Sequence, residues 1–85
     1  MLTFSVKRLY RFNGDSSLKA IIDIAIGEEF LVKGFRVVEG KNGLFVAVPR
    51  QQGNDGKWYG TAFPLTDEAK KELDRIILEA LENGE

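Results

Sequence analysis

The 85-residue chain has no cysteine, no histidine and only two prolines. Without cysteine it can form no disulfide framework, zinc ribbon, iron–sulfur cluster or thiol nucleophile. Without histidine it lacks the commonest general base and the commonest metal ligand. Its serines and threonines have no histidine partner, and none lies in a Gly-x-Ser-x-Gly turn. We therefore expect no catalytic residue, no metal, no cofactor and no small-molecule substrate.

Long apolar runs are also absent. The longest nearly apolar stretch, residues 20–26, is interrupted by Asp23 and is far shorter than the ~20 residues of a membrane span. The N-terminus has no basic segment followed by an apolar one, which a secretory signal would have. We therefore expect a soluble, cytoplasmic protein that contacts no membrane. Its length predicts one small domain over residues 1–85.

The first two thirds of the chain alternate between apolar and polar residues, which predicts β-strands. Turn signals such as Asn13-Gly14 and Asp55-Gly56 separate the strands. Gly34 lies inside the third strand and indicates a bulge there. The predicted strands cover residues 3–12, 18–26, 30–39, 44–48 and 57–63. In the first of them, alternation places four apolar or aromatic residues on one face: Phe4, Val6, Tyr10 and Phe12.

The last twenty residues change to helical periodicity. Their apolar stripe predicts a helix over residues 67–82, with Thr66 as its N-cap and acids in its first turn, where the helix dipole favours them. Gly84 is placed to end this helix. Five strands followed by one helix place the chain in the α+β class.

The third and fourth strands carry apolar residues on both faces, for example Phe35 and Val38 on opposite sides of one strand. One helix can cover only one face of a sheet. A second copy of the chain is the simplest cover for the other face, which predicts a homodimer. The alternative is a strongly curled sheet that closes on itself.

Charge is divided unevenly along the chain. Residues 1–65 hold 9 Lys and Arg against 6 Asp and Glu, whereas residues 66–85 hold 3 against 7. Arg50, Lys57 and Trp58 flank a polar loop, and cations beside exposed aromatics suit contact with a nucleic-acid backbone or single strand. The alternative is a set of solvated charges around a core tryptophan, which the overall net charge of −1 favours.

One contiguous stretch, from Phe35 to Pro49, reads FRVVEGKNGLFVAVP. It closely resembles the signature of the stage V sporulation protein G family, the SpoVG septation regulators, which is Arg-Val-Ile-acid-Gly-x-x-Gly-Leu-Phe-Val-Ala-Met-Pro. The family continues with a polar loop, Asp-Gly, an aromatic residue and Ala-His-Pro-Ile. In this chain the continuation is Asp55-Gly56, Trp58 and Ala62-Phe63-Pro64-Leu65. The similarity extends from about Lys7 to the final helix.

The resemblance implies a five-stranded, twisted antiparallel meander with one C-terminal helix, assembled as a homodimer. It implies a bacterial regulator linked to septation, cell division and sporulation, which occupies a DNA or RNA site and has no enzymatic activity. Family contacts with nucleic acid lie in the loop after the proline and at the start of the helix. Carried over to this sequence, the binding residues are Arg50, Gln51, Gln52, Lys57, Lys70, Lys71 and Arg75.

The loop after Pro49 departs from the family pattern, because Arg50-Gln51-Gln52 replaces Ser-Lys-Arg. One cation remains, displaced by one position. Two hypotheses follow. In the first, the protein is a nucleic-acid-binding regulator in which Gln51 and Gln52 read base edges. In the second, it is a protein-interaction module on the same fold that has lost nucleic-acid binding.

Overall fold

The computed structural model describes residues 3–83, whose strands follow one another as a meander. Six strands precede one helix: β1 (Phe4–Arg11), β2 (Leu18–Ile26), β3 (Phe30–Gly40), β4 (Gly43–Ala47), β5 (Arg50–Gln52), β6 (Trp58–Gly60) and α1 (Asp67–Glu82). β1 to β4 form one antiparallel sheet in chain order, and β5 pairs with β6 in a separate two-stranded sheet. The α+β class with an antiparallel sheet and a C-terminal helix is confirmed, and the main sheet has four strands.

β2 is the most deeply buried strand, because it lies between β1 and β3 and beneath the helix. Ala20, Ile22 and Ile24 are 0% exposed on the face that packs against α1. On the opposite face Asp23 and Ala25 are also buried. The same core cluster contains four residues of β3 and α1: Phe35, Val37, Leu73 and Ile77. An interior strand of this kind is apolar over most of its length, as residues 18–26 are.

A β-bulge changes the facing of β1. The pairing with β2 shifts between Val6 and Arg8, so that Lys7 is an extra residue. Beyond the bulge, the core face carries Leu9. Two residues predicted on that face are instead exposed: Tyr10 at 50% and Phe12 at 43%. The predicted facing of β1 is therefore wrong after Val6, because strict alternation does not anticipate an inserted residue.

Gly34 lies in a second bulge, in β3, opposite Asp23 of β2. Its φ of +99° lies in a region that L side chains rarely adopt, and a Cβ there would lie 3.6 Å from the Cβ of Pro49. Pro49 is buried and has no N–H to donate to a ladder, so the chain leaves the main sheet here. The predicted fifth strand, 57–63, is shorter in the structure, Trp58–Gly60, and pairs with β5 rather than with the main sheet.

The helix begins at a side-chain cap. The hydroxyl of Thr66 accepts a hydrogen bond from the N–H of Ala69 at 3.1 Å, and the buried stripe consists of Leu73, Ile77 and Ala80. At the other end, Arg11 of β1 donates to the carbonyl of Leu81. Gly84, predicted to end the helix, lies outside the described residues. No helix within residues 3–83 is long and apolar enough to cross a membrane.

We expect Leu73→Ala to lower the free energy of unfolding by roughly 2–5 kcal/mol, because truncating a core side chain leaves a cavity. Leu65→Ala is the matched control. Leu65 is 95% exposed, so its truncation should change the free energy of unfolding by less than about 0.5 kcal/mol. Urea denaturation followed by circular dichroism measures both. Equal losses in the two variants would mean that Leu73 does not join the helix to the sheet.

Candidate nucleic-acid interface

The residues predicted to bind nucleic acid lie on two separate surfaces. The β5–β6 hairpin carries Arg50, Gln51, Gln52 and Lys57, and the exposed side of α1 carries Lys70, Lys71 and Arg75. Arg50 and Trp58 line a pocket together with Ile21 and Arg36. Ile21 and Arg36 lie between core residues along their strands, so they belong to the sheet face that points away from α1. The hairpin therefore lies toward the sheet face opposite the helix, and the structure does not bring the two groups together within one chain.

Asp55 fixes the turn of the hairpin. Its carboxylate accepts hydrogen bonds from the main-chain N–H of Lys57, at 2.9 Å, and from the hydroxyl of Tyr59. The side-chain amide of Gln52 donates to the carbonyl of Gly56 at 3.0 Å. A donor of Gln52 is thus engaged in the turn, and contact with a base edge through this amide would compete with that bond.

Arg50, Trp58 and Arg36 form the aromatic and cationic part of the hairpin. The guanidinium of Arg50 lies over the indole of Trp58, 5.3 Å from the ring centroid, which is cation–π distance. Trp58 is 56% exposed and is therefore not a core tryptophan. Together with Ile21 and Gly34 these three residues line a cavity of about 300 Å³, which we call the hairpin pocket.

The cations of the hairpin pocket form no ion pair within the described residues. Burial lowers the pKa of Arg36 from its usual value, and the positive charge of Arg50 lowers it further. Among residues 3–83, no carboxylate oxygen lies within 4.0 Å of the side-chain nitrogens of Arg36, Arg50 or Lys57. Two guanidinium groups that repel each other and have no ion-pair partner form a surface that an anion would stabilise, although Asp23 lies buried on the same sheet face, opposite the pocket-lining Gly34.

Arg36 was not among the predicted site residues. Alternation in β3 does place it on the face opposite the buried Phe35 and Val37, so its facing was available from the sequence. Its proximity to Trp58 was not available, because it depends on where the chain turns after Pro49.

Two cations of α1, unlike those of the hairpin pocket, are paired with carboxylates. Lys70 pairs with Asp74 at 2.8 Å, and Arg75 pairs with Glu72 at 2.7 Å and with Glu79 at 2.9 Å. Hydrogen bonds to Glu72 and then to Glu79 raise the pKa of Arg75, and the bond from Arg75 lowers the pKa of Glu72. A phosphate that approaches these two cations must compete with carboxylates already in place.

The SpoVG family model matches residues 1–83 of this sequence. The chain belongs to the SpoVG family. A Lachnospira eligens protein named as a SpoVG septation protein is 33% identical over 78 residues, which cover 92% of this chain and 89% of the relative. A Listeria monocytogenes protein named as SpoVG 2 is 38% identical over 71 residues, covering 84% of this chain and 70% of the relative. A SpoVG septation protein of Archaeoglobus fulgidus is 35% identical over 78 residues and 92% of each chain. These names refer to septation and to no enzymatic reaction.

The stretch that carries the SpoVG resemblance forms the β3–β4 hairpin. Gly40 pairs with Gly43 across a two-residue turn, and Gly43 has a φ of +115°. A Cβ on Gly40 would lie only 3.1 Å from the ring of Phe45. Pro49 then directs the chain out of the main sheet, immediately before Arg50. This part of the SpoVG pattern is therefore explained by folding geometry, and it places the hairpin that follows.

We expect the phenol of Tyr59 to ionise above its ordinary pKa of about 10. Its O–H donates to the Asp55 carboxylate only while protonated, and this bond raises the pKa of Tyr59. The bond's contribution to hairpin stability is complete below the unfolded-state pKa and is lost as the pH rises through the raised value. Ultraviolet titration of phenolate in a Tyr10→Phe protein isolates Tyr59, because the chain has two tyrosines.

Asp55→Asn in the same Tyr10→Phe background is the matched comparison. It removes the carboxylate charge, so the pKa of Tyr59 should fall back toward about 10. An identical titration curve with and without the Asp55 carboxylate would contradict the described turn.

Proposed function

We propose that this chain is a homodimeric nucleic-acid-binding regulator of the septation and sporulation type, which acts by occupying a DNA or RNA site. The observation that most supports this is the guanidinium of Arg50 over the exposed ring of Trp58, beside Arg36. Surfaces that combine cations with exposed aromatics hold nucleic acid through phosphate contacts and base stacking. Site occupancy alone accounts for regulation and requires no catalytic group.

Binding should be weak, because few cations are free. On the two candidate surfaces, four cations have no carboxylate of residues 3–83 within 4.0 Å: Arg36, Arg50, Lys57 and Lys71. Gln51 and Gln52 carry no charge. Each phosphate contact contributes roughly one unit to the slope of log affinity against log salt, so the slope should be shallow.

Homodimerisation is supported by the exposed edge of the main sheet. β4 is an edge strand, and its Leu44 and Phe45 are 45% and 50% exposed on opposite faces. An exposed apolar edge strand is a template for pairing with another chain. A second copy that pairs along β4 would satisfy the outer main-chain groups and cover these side chains.

A protein-interaction function is the second candidate, and a different surface favours it. Phe63 and Leu65 are 65% and 95% exposed beside an apolar cavity of about 300 Å³ at the start of α1. The cavity is lined from the sheet and helix by Phe4, Ile24, Val32, Phe35 and Leu73, among others. Exposed apolar surface of this kind is typical of contact with a protein partner.

Restoring charge in the hairpin should strengthen binding of nucleic acid. The double variant Gln51→Lys, Gln52→Arg adds two cations beside Arg50, so both the affinity and the salt slope should increase. Fluorescence anisotropy with labelled mixed-sequence DNA and RNA at several salt concentrations measures this. Asn13→Lys with Asn42→Arg is the control, because it adds the same charge in turns of the main sheet, away from the hairpin.

Glu72→Gln should also strengthen binding if α1 takes part, because it frees Arg75 from one of its two partners. Absence of binding by the wild type and by the charge-restored variant at about 50 mM salt, where phosphate contacts are still strong, would contradict the nucleic-acid function. It would leave the protein-interaction function.

Phe45→Asp should yield a folded monomer, because Phe45 is half-exposed on the edge strand. Phe35→Asp should unfold the chain, because Phe35 is 4% exposed in the core. Leu65→Asp is the control, an apolar-to-acid change at an exposed position away from β4. Light scattering gives the mass and circular dichroism gives the fold. A monomeric wild type at micromolar concentration would overturn the dimer.

A further inference from the structure

The hairpin pocket is bounded by groups of two kinds. Its apolar part is Ile21 of the sheet and the indole of Trp58, and its charged part is the pair of guanidinium groups of Arg36 and Arg50. A site with an aromatic surface and an adjacent cation pair matches a ligand that has a flat ring and a nearby anion. A nucleotide has both, as a base and a phosphate.

The charged part favours phosphate in particular. Guanidinium groups bind phosphate through planar, bidentate hydrogen bonds, and they are less strongly hydrated than ammonium groups. Arg36 is partly buried, and the repulsion between its charge and that of Arg50 is not offset by an acid within 4.0 Å among residues 3–83. A phosphate between the two groups would remove this repulsion.

The aromatic part distinguishes single strands from duplexes. Trp58 lies in β6 beside the sheet and is 56% exposed. Arg50 lies over one face of its ring, so an unpaired base that stacks on the indole uses the other face or displaces the guanidinium. A base inside a duplex is covered by its neighbours and cannot stack on a side chain unless it is first unstacked.

We propose that the hairpin pocket binds one nucleotide of a single-stranded nucleic acid, with the base stacked on Trp58 and the phosphate between Arg36 and Arg50. This rests on the proposed nucleic-acid function and gives it a preferred substrate class. It also assigns Arg36 to the interface, which is not among the residues predicted from the sequence, and it gives Trp58, predicted there as an aromatic beside cations, a stacking role.

Trp58 is the single tryptophan of the chain, so its fluorescence reports on this pocket directly. The probes are an oligothymidylate of about 12 nucleotides, the same oligonucleotide in a duplex, and inorganic polyphosphate, which has charge but no base. The protein variants are Arg36→Gln, Arg36→Lys and Trp58→Leu. Lys41→Gln is the control, because it removes one charge from the β3–β4 turn outside the pocket. Affinity is measured by anisotropy or competition, and circular dichroism checks the fold.

The single strand should quench Trp58 and should bind more tightly than the duplex. Trp58→Leu should weaken oligothymidylate by at least about fivefold and polyphosphate by much less, because polyphosphate loses only the cation–π support of Arg50 and not a stacking surface. Arg36→Gln should weaken both probes by about tenfold, while Arg36→Lys restores the salt slope. Lys41→Gln should have a much smaller effect.

Three results would overturn the pocket assignment. In the first, the wild type binds oligothymidylate without a change in Trp58 fluorescence, and the Arg36→Gln and Trp58→Leu variants bind with the wild-type affinity. Nucleic acid then binds elsewhere, and only the broader function survives. If the duplex binds as tightly with the same quenching, the single-strand preference is wrong. If the wild type binds none of the probes, the pocket assignment and the nucleic-acid function both fail.

Discussion

Ile22 and Ile24 of β2 pack with Ile77 of α1 in a core where all three side chains are 0% exposed. The chain has no cysteine from which to build a disulfide, so apolar burial has to supply most of its stability. Full burial of each such side chain contributes about 1.5–3 kcal/mol. The hairpin lies on the opposite face of the same sheet. The candidate site therefore uses residues, such as Ile21, whose neighbours along the strand are held in this core.

The α+β class and the helix were predictable from the sequence, because their signals are local. The stripe that contains Leu73 and Ile77 has helical spacing, and Thr66 has the side chain that an N-cap requires. The facing of β1 was not predictable beyond Val6. The bulge at Lys7 is defined by the pairing of β1 with β2, and the alternation of residues 4–11 alone does not contain it.

The same distinction applies to the candidate site. Its hairpin cations and glutamines were predicted from the resemblance to the SpoVG family, and Trp58 was singled out as an aromatic residue beside cations. Whether they lie beside Lys70, Lys71 and Arg75 depends on which sheet face the chain crosses after Pro49. The structure separates the two groups. That crossing also brings Arg36 beside Arg50, a pair 14 positions apart in the sequence. Contacts of this range follow from the path of the chain, which a local pattern does not contain.

The acids of α1 affect stability and recognition in different ways. Asp67 and Glu68 interact favourably with the N-terminal end of the helix dipole. Further along, carboxylates pair with Lys70 and Arg75 on the exposed side of the helix, where ion pairs add little stability.

The same carboxylates offset the charge of Lys70 and Arg75, which a phosphate would otherwise meet on the helix. Attraction for an anion is thereby concentrated at the hairpin, where Arg50 remains although two neighbouring cations of the family pattern are glutamines. A chain with this arrangement presents few unpaired cations to an anion but has an exposed indole at the hairpin. Base stacking on that indole would add to the phosphate contacts a contribution that salt screens little.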